Sequence, residues 1–318
     1  MPIPSALMRG LKLPAIAAPM FLASGPDLVV ACCRWGVIGA FPALNQRTTD
    51  GLDAWLDQIE GRLAGADAAP HAVNLIVHRS NTRLEADLDV IVRHRVPLVI
   101  TSLGTRPEVV AAVQGYGGAV FHDVVNLRHA RKAAETGVDG IIAVCAGAGG
   151  HAGTLSPFAL LPEIRTCFGG TLILAGAIST GAQIAAARAM GADLAYLGTR
   201  FLATREAMIA QGHKAMILQA HAADIVHTAA VSGVPANFLR DSLAASGIGE
   251  DAPAPALDIE TEAKAWRDVW SAGQGVGAVT DMPHAAELCA RLNADYRAAL
   301  QQFATDDFAA PPAAGAAP

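Results

Sequence analysis

Short apolar runs alternate with amphipathic segments from the start of the chain to about residue 200. The runs predict strands at 14–20, 36–41, 72–77, 97–102, 119–124, 140–145, 171–176 and 194–199. Helical patterns fall between them, among them 82–95, 107–116, 127–136 and 181–190. Within the strand segments apolar residues run on continuously instead of alternating with polar ones. Such strands are buried on both faces, as in a parallel sheet covered by helices. Eight strand–helix units predict an α/β protein of the (β/α)8 TIM-barrel type. A doubly wound open sheet is the competing topology, and the count of eight favours the closed barrel.

Beyond about Phe201 the rhythm changes. Residues 206–220 read as helix, a less regular region with Gly and Pro follows through Ala256, and a last helical pattern spans 283–302. The expected organisation is a barrel core at 1–203 and a helical subdomain, with a C-terminal helix packing on the barrel, at 204–306. The low-complexity composition of 307–318 predicts a disordered tail. Near the start, Arg9 and Lys12 precede the apolar stretch 13–25, an arrangement resembling a secretory signal. Pro14 and Pro19 interrupt it and no clear A-x-A site follows, so it reads as an uncleaved first strand. Uncharged stretches near 141–160 and 166–187 reach membrane-spanning length, but Gly, Ser and Thr break both. They read as buried strand–loop–helix units, and no membrane partner is expected.

Composition narrows the classes further. Hydrophobic residues make up 52% of the 318 residues and charged ones 16%, ample material for a large core. A net charge of −6 and 5% aromatic residues argue against a nucleic-acid partner, which needs a basic footprint or stacking aromatics. The five cysteines form no C-x-x-C pair and are irregularly spaced. They suggest neither a disulfide framework nor a zinc site, and fit a reducing cytoplasm.

In a barrel, functional residues cluster where strands end and βα loops begin. That rule selects Pro19–Met20, Asn74, Thr101–Ser102, His122–Asp123, the Gly147–His151 loop, Gly176–Ala177 and Gly198–Thr199. The loops after the seventh and eighth strands are the usual barrel phosphate site, because glycine lets backbone N–H groups approach the anion closely. Gly176–Ala177 and Gly198–Thr199 stand at those two places. The loop after the sixth strand, Gly147-x-Gly149-x-x-Ala152, matches the loose dinucleotide fingerprint. It follows five βα units, does not run directly into its helix, and lacks the acidic residue about 20 positions on, so the Rossmann reading is weak. His151 stands in that loop, flanked by Gly149, Gly150 and Gly153. A histidine at a barrel rim can act as a general base or hold an anion. No G-x-S-x-G elbow supports serine hydrolysis. His122 and Asp123 lack a clear third partner for a metal.

These residues resemble the nitronate monooxygenase family, also called 2-nitropropane dioxygenases. Its members are FMN-dependent (β/α)8 barrels related to FMN-containing enoyl-acyl-carrier-protein reductases. The resemblance rests on AAPM at 17–20, AGAGGHAG at 146–153 with LLPEI at 160–164, and MGADLAYLGTRFLATREA at 190–207. Weaker similarity reaches WSAGQGVGAV at 270–279. The resemblance implies Pro19 and Met20 beside the isoalloxazine, with Asn74 and Thr101 contacting flavin or substrate. It implies Gly149 and Gly150 along the flavin, and Gly176, Ala177, Gly198 and Thr199 around its phosphate. His151 then takes the proton α to a nitro group, or positions a nitronate already anionic. The flavin oxidises the nitronate, O2 takes up the electrons, and a carbonyl compound and nitrite leave.

The implied partners are a small nitronate or nitroalkane and O2, and a homodimer is compatible with the family. Three positions depart from the pattern: Asp123 stands near where many relatives carry a lysine, Ala177 where they often have glycine, and Gly147–Ala148 where a glutamate is common. An NAD(P)H-dependent FMN reductase of a quinone or enoyl thioester is the alternative within flavin enzymes. A flavin-free barrel binding a phosphate ligand is the alternative outside them.

Overall fold

The structure, a computed structural model, describes residues 3–255 and 266–305. Its first nine strands are β1 (Ala15–Ala17), β2 (Ile38–Pro42), β3 (His71–Ile76), β4 (Leu98–Ser102), β5 (Ala119–Val124), β6 (Gly140–Val144), β7 (Gly150–His151), β8 (Thr171–Ala175) and β9 (Leu194–Leu197). All but β7 are parallel and close into a barrel in chain order, β1 pairing with both β2 and β9. The eight expected strands are all present, with ends shifted by a few residues.

The helix α1 (Ser5–Met8) precedes the barrel. Between successive barrel strands lie α2 (Pro26–Trp35), α3 (Thr49–Leu63), α4 (Leu84–Arg93), α5 (Pro107–Gly115), α6 (Leu127–Glu135), α7 (Pro157–Arg165) and α8 (Gly181–Ala189). Local chemistry sets their ends. Asn126 caps α6 by accepting from the His129 N–H at 2.9 Å, and Thr180 with Gln183 forms a capping box on α8. Proline opens α2, α5 and α7, where its missing N–H costs nothing.

Side chains alternate across each strand, so the sheet serves two cores. Val73, Val99, Val120, Ile141 and Leu172 face outward onto the helices. Ile16, Ala72, Ile100, Phe121, Ile142 and Leu194 fill the barrel interior. Two residues further along these inward rows, toward the strands' C-terminal ends, come Asn74, Ser102, Asp123 and Tyr196, which line the cavity at the barrel mouth. The top of the interior is therefore polar.

After β9 the chain forms α9 (Thr199–Leu202), α10 (Gln211–Gln219), β10 (Ile225–Thr228), β11 (Ala236–Leu239), α11 (Arg240–Ala245) and α12 (Ala285–Ala304). Two features differ from an all-helical expectation. Residues 206–210 are not helical, because backbone N–H groups here reach remote carbonyls: Arg205 bonds Pro283 at 3.1 Å and Met208 bonds Ala23 at 2.9 Å. The second is a three-stranded antiparallel sheet ordered β10–β11–β7, with His151 opposite Ala236 and Gly150 opposite Asn237. The helix α12 packs across α8 and α2 on the outside of the barrel. At Gly181 the approach is so close that a Cβ would lie 2.1 Å from the Leu292 carbonyl oxygen. Arg200, buried just after β9, pairs with Asp281 at 2.6 Å and ties this region to the barrel.

Among the described residues, no helix is long and apolar enough to cross a membrane, and no group of His, Cys, Asp and Glu could hold a metal ion. The tail expected at 307–318 lies outside the described residues.

Candidate active site

A cavity of about 810 Å³ opens at the C-terminal ends of the barrel strands. Pro19, Met20, Asn74, Gly149, Gly150, His151, Gly176, Ala177, Gly198 and Thr199 all line it. Thr101 does not: it lies on the outward row of β4, where its hydroxyl sits 2.8 Å from His122 Nδ1. Burial pushes His122 down to about 4, with the charges of His129 and Lys132 acting in the same direction, so its imidazole is neutral at pH 7.

The loop after β1 is held by a residue that sequence patterns did not reveal. Asn45 donates to the carbonyls of Met20 and Ser24 at 3.1 and 2.7 Å and accepts from the Leu22 N–H at 2.8 Å. That staple fixes Pro19 and Met20 over the cavity, with Met20 Sδ 3.8 Å from where a Gly198 Cβ would stand.

Four loops converge on one side of the mouth: 147–150, 176–179, 198–199 and 272–275. Their packing leaves no room for a Cβ at Gly273 or Gly275. A Cβ on Gly273 would fall 2.5 Å from the Gly147 carbonyl oxygen, and one on Gly275 would fall 2.6 Å from Ser179 Oγ. Gly147 accepts from the Gln274 N–H at 2.9 Å, and Thr199 Oγ1 accepts from the Gly273 N–H at 2.8 Å. Ser179 is 3% exposed, lines the cavity, and its hydroxyl has no hydrogen-bond partner among the described residues. A buried hydroxyl left in that condition costs free energy unless a ligand completes it. Thin backbone plus an unfilled donor makes a cradle suited to an anionic group. Ser179, Gly273 and Gly275 were not singled out as site residues; only the weak similarity at 270–279 pointed toward the last two.

His151 belongs to a separately braced element. Its strand β7 is paired to β11, and the preceding loop is tied down by Asn237 Nδ2, which donates to the Ala148 carbonyl at 2.6 Å. Ser271 Oγ accepts from the Gly150 N–H at 2.8 Å and donates to the Asn237 carbonyl at 2.7 Å. The imidazole packs edge-on against Trp266, centroids 5.5 Å apart. Behind Ser271, His213 Nε2 lies 3.0 Å from its carbonyl and the ring stacks on Trp270 at 5.2 Å.

Across the cavity, Asp123 is the acidic residue in the wall. Ser102 Oγ donates to its Oδ2 at 2.7 Å, and Asn74 Nδ2 donates to Ser102 Oγ at 2.7 Å. Burial pushes Asp123 up to about 6, opposed by the Ser102 hydrogen bond and by the charge of His151. Burial, reinforced by the charge of Asp123, also pushes Tyr196 well up, which keeps its phenol protonated.

A closed parallel barrel with glycine-rich loops and a braced imidazole around one cavity at its C-terminal mouth has the layout of a barrel enzyme. The nitronate monooxygenase family profile matches residues 66–295. A nitronate monooxygenase from Paraburkholderia phytofirmans is 30% identical, over 93% of this chain and 95% of the relative. The nitroalkane oxidase of Streptomyces ansochromogenes superposes with a TM-score of 0.82 at 27% identity, covering 94% of this chain and 100% of that one. FabK from Thermotoga maritima shares the fold, with a TM-score of 0.79 at 22% identity over 93% and 96% of the two chains. The chain belongs to the nitronate monooxygenase family and is a flavin-dependent oxidoreductase.

Proposed function

We propose that this enzyme uses FMN to oxidise alkyl nitronates, and nitroalkanes after deprotonation, with O2 to carbonyl compounds and nitrite. The observation that carries the reading is that His151 and the glycine-built cradle border one cavity. The cradle fits a phosphate monoester: backbone at Gly176, Ala177, Gly198 and Thr199 would hold it, and Ser179 would give its unused hydroxyl proton to a phosphate oxygen. Pro19, Met20, Gly149 and Gly150 would lie along the ring system. FMN held there would supply the two-electron oxidation, with O2 as the electron acceptor.

The chain's own task is to position the substrate and manage its proton. His151 takes the proton α to the nitro group of a neutral nitroalkane onto an imidazole nitrogen, leaving the nitronate. With a nitronate supplied directly, the same ring holds the anion. Packing against Trp266 limits how the imidazole can turn, so the base is held in place before substrate arrives. Apolar wall residues such as Met20, Leu22 and Ile178 keep water from the reacting carbon.

The test is oxygen uptake by the FMN-loaded protein. His151→Asn should keep the flavin and lower kcat/KM for nitroethane by about 10²-fold, with a smaller loss on propionate 3-nitronate, which needs no deprotonation. NADH oxidation coupled to a quinone, without oxygen uptake on either nitro compound, would overturn the reading in favour of a reductase. A purified protein that cannot take up FMN would overturn both.

A further inference from the structure

A carboxyl group in a cavity meant for an anion calls for a physical explanation, and the hydrogen bonds around Asp123 supply one. Asn74 Nδ2 donates to the Ile100 carbonyl at 3.0 Å and to Ser102 Oγ at 2.7 Å. The Ser102 hydroxyl proton is thereby directed to Asp123 Oδ2, 2.7 Å away. The other oxygen, Oδ1, is buried and receives no hydrogen bond from any other described residue. As a carboxylate, Asp123 would bury an unpaired charged oxygen, which is costly. As a carboxylic acid it carries its proton on Oδ1 and lacks only an acceptor.

We propose that Asp123 acts in its protonated form, donating a hydrogen bond from Oδ1 to an oxygen of the substrate's nitro or nitronate group, with Ser102 and Asn74 as its positioning residues. The inference rests on the nitronate reading. No covalent bond changes at Asp123, and its proton is shared with the substrate oxygen, not transferred. The acid thus contributes a neutral donor to a cavity whose wall also carries Lys132 and Arg267. The ligand class is a small planar group with two acceptor oxygens on one atom. Because burial already favours the neutral acid at Asp123, a bound anion nearby strengthens its hold on the proton, and binding is linked to protonation.

The titratable groups around Asp123 come from several elements. His151 faces it from β7 and Tyr196 from β9, while His122 on β5, His129 and Lys132 on α6, His213 on α10 and Arg267 border the same cavity. Burial favours the neutral form of His122 and His129, and Tyr196 keeps its proton. His151 borders the same cavity and is proposed to hold the anion, so its contribution has to be removed in the test.

The experiment measures nitrate binding to FMN-loaded protein by calorimetry from pH 5 to 8 at fixed ionic strength. Nitrate is the probe because it is a planar anion with oxygens on nitrogen. In a His151→Asn background, affinity should fall by about 10-fold or more as pH rises through this range, as deprotonation removes the donor. Adding Asp123→Asn, whose amide donates but cannot ionise, should hold affinity near its low-pH level throughout. Adding Asp123→Ala should weaken binding at every pH. Ser102→Ala should move the midpoint upward, because Ser102 bonds the ionised form. A flat profile in the His151→Asn protein, or an Asp123→Asn protein as weak as Asp123→Ala, would sink the proposal. Wild-type nitronate turnover alongside that flat profile would leave the proposed function standing, whereas no turnover and no nitrate binding would remove both.

Discussion

Ala177 adopts φ +52°, a conformation that glycine reaches readily and that costs an L-residue about 1–2 kcal/mol. Gly176 beside it sits at φ +143°, so the turn after β8 asks for two glycines and has one. Ala177→Gly should therefore raise stability by about 1 kcal/mol in urea titrations while leaving FMN bound; a loss of stability would show that the methyl group's packing outweighs the strain. Single residues also mark where the sequence was hardest to read. Thr101 and Ser102 are neighbours, as are His122 and Asp123, and within each pair only the second points into the barrel. A shift of one residue changes the face entirely. In strands that are apolar on both faces, no alternation in the sequence marks the inward row, so Thr101 was expected in the site that Ser102 occupies. The position of His151 at the cavity was legible because its glycine neighbours and its place after the sixth strand both carried signal.

At the scale of elements, the imidazole depends on braces from far along the chain. Asn237→Ala removes the donor to the Ala148 carbonyl and leaves a buried acceptor unpaired, at a cost of about 1–3 kcal/mol. The expected result is a folded protein whose kcat drops by about 10-fold on nitroethane with FMN affinity little changed, since the loop and not the phosphate cradle is loosened. Neither β10 nor β11 was expected from sequence: each has four residues, β10 pairs only with β11, and the pairing of β11 with β7 spans a long separation. The barrel helices and strands were legible because buried apolar runs recur with capping residues between them.

A second element-scale expectation concerns α3 and α4. His94 bridges Asp53 at 2.7 Å and Glu60 at 3.1 Å. Burial works against its charged form, but the bonds to Asp53 and Glu60 outweigh it and raise His94. Its contribution is then fully present below the unfolded value near 6.5 and fades as pH rises through the higher folded value. His94→Gln should destabilise clearly at pH 5.5 and scarcely at pH 9, measured by thermal melts; an equal loss at both would show that the charge is irrelevant.

For the whole molecule, Asp123 has the same pH slope as His94, but by imposing a penalty when it ionises instead of losing a favourable charge. Its folded value of about 6 exceeds the 3.8 of an unperturbed aspartate. The group imposes no penalty below 3.8, and its ionisation lowers stability progressively until pH passes 6. Asp123→Asn should thus stabilise the cofactor-free protein by at most about 3 kcal/mol at pH 8 and by almost nothing at pH 3.5. Urea midpoints at the two pH values check this, and equal effects at both would discount the buried charge. The pairing of β7 with β11 has a consequence of another kind, in the order of synthesis. Every barrel strand is synthesised before the residues that brace His151. A chain ending at residue 203 would hold all eight barrel strands yet lack β11, Trp266 and Ser271, so the scaffold is made first and the bracing of the imidazole comes only with the residues that follow.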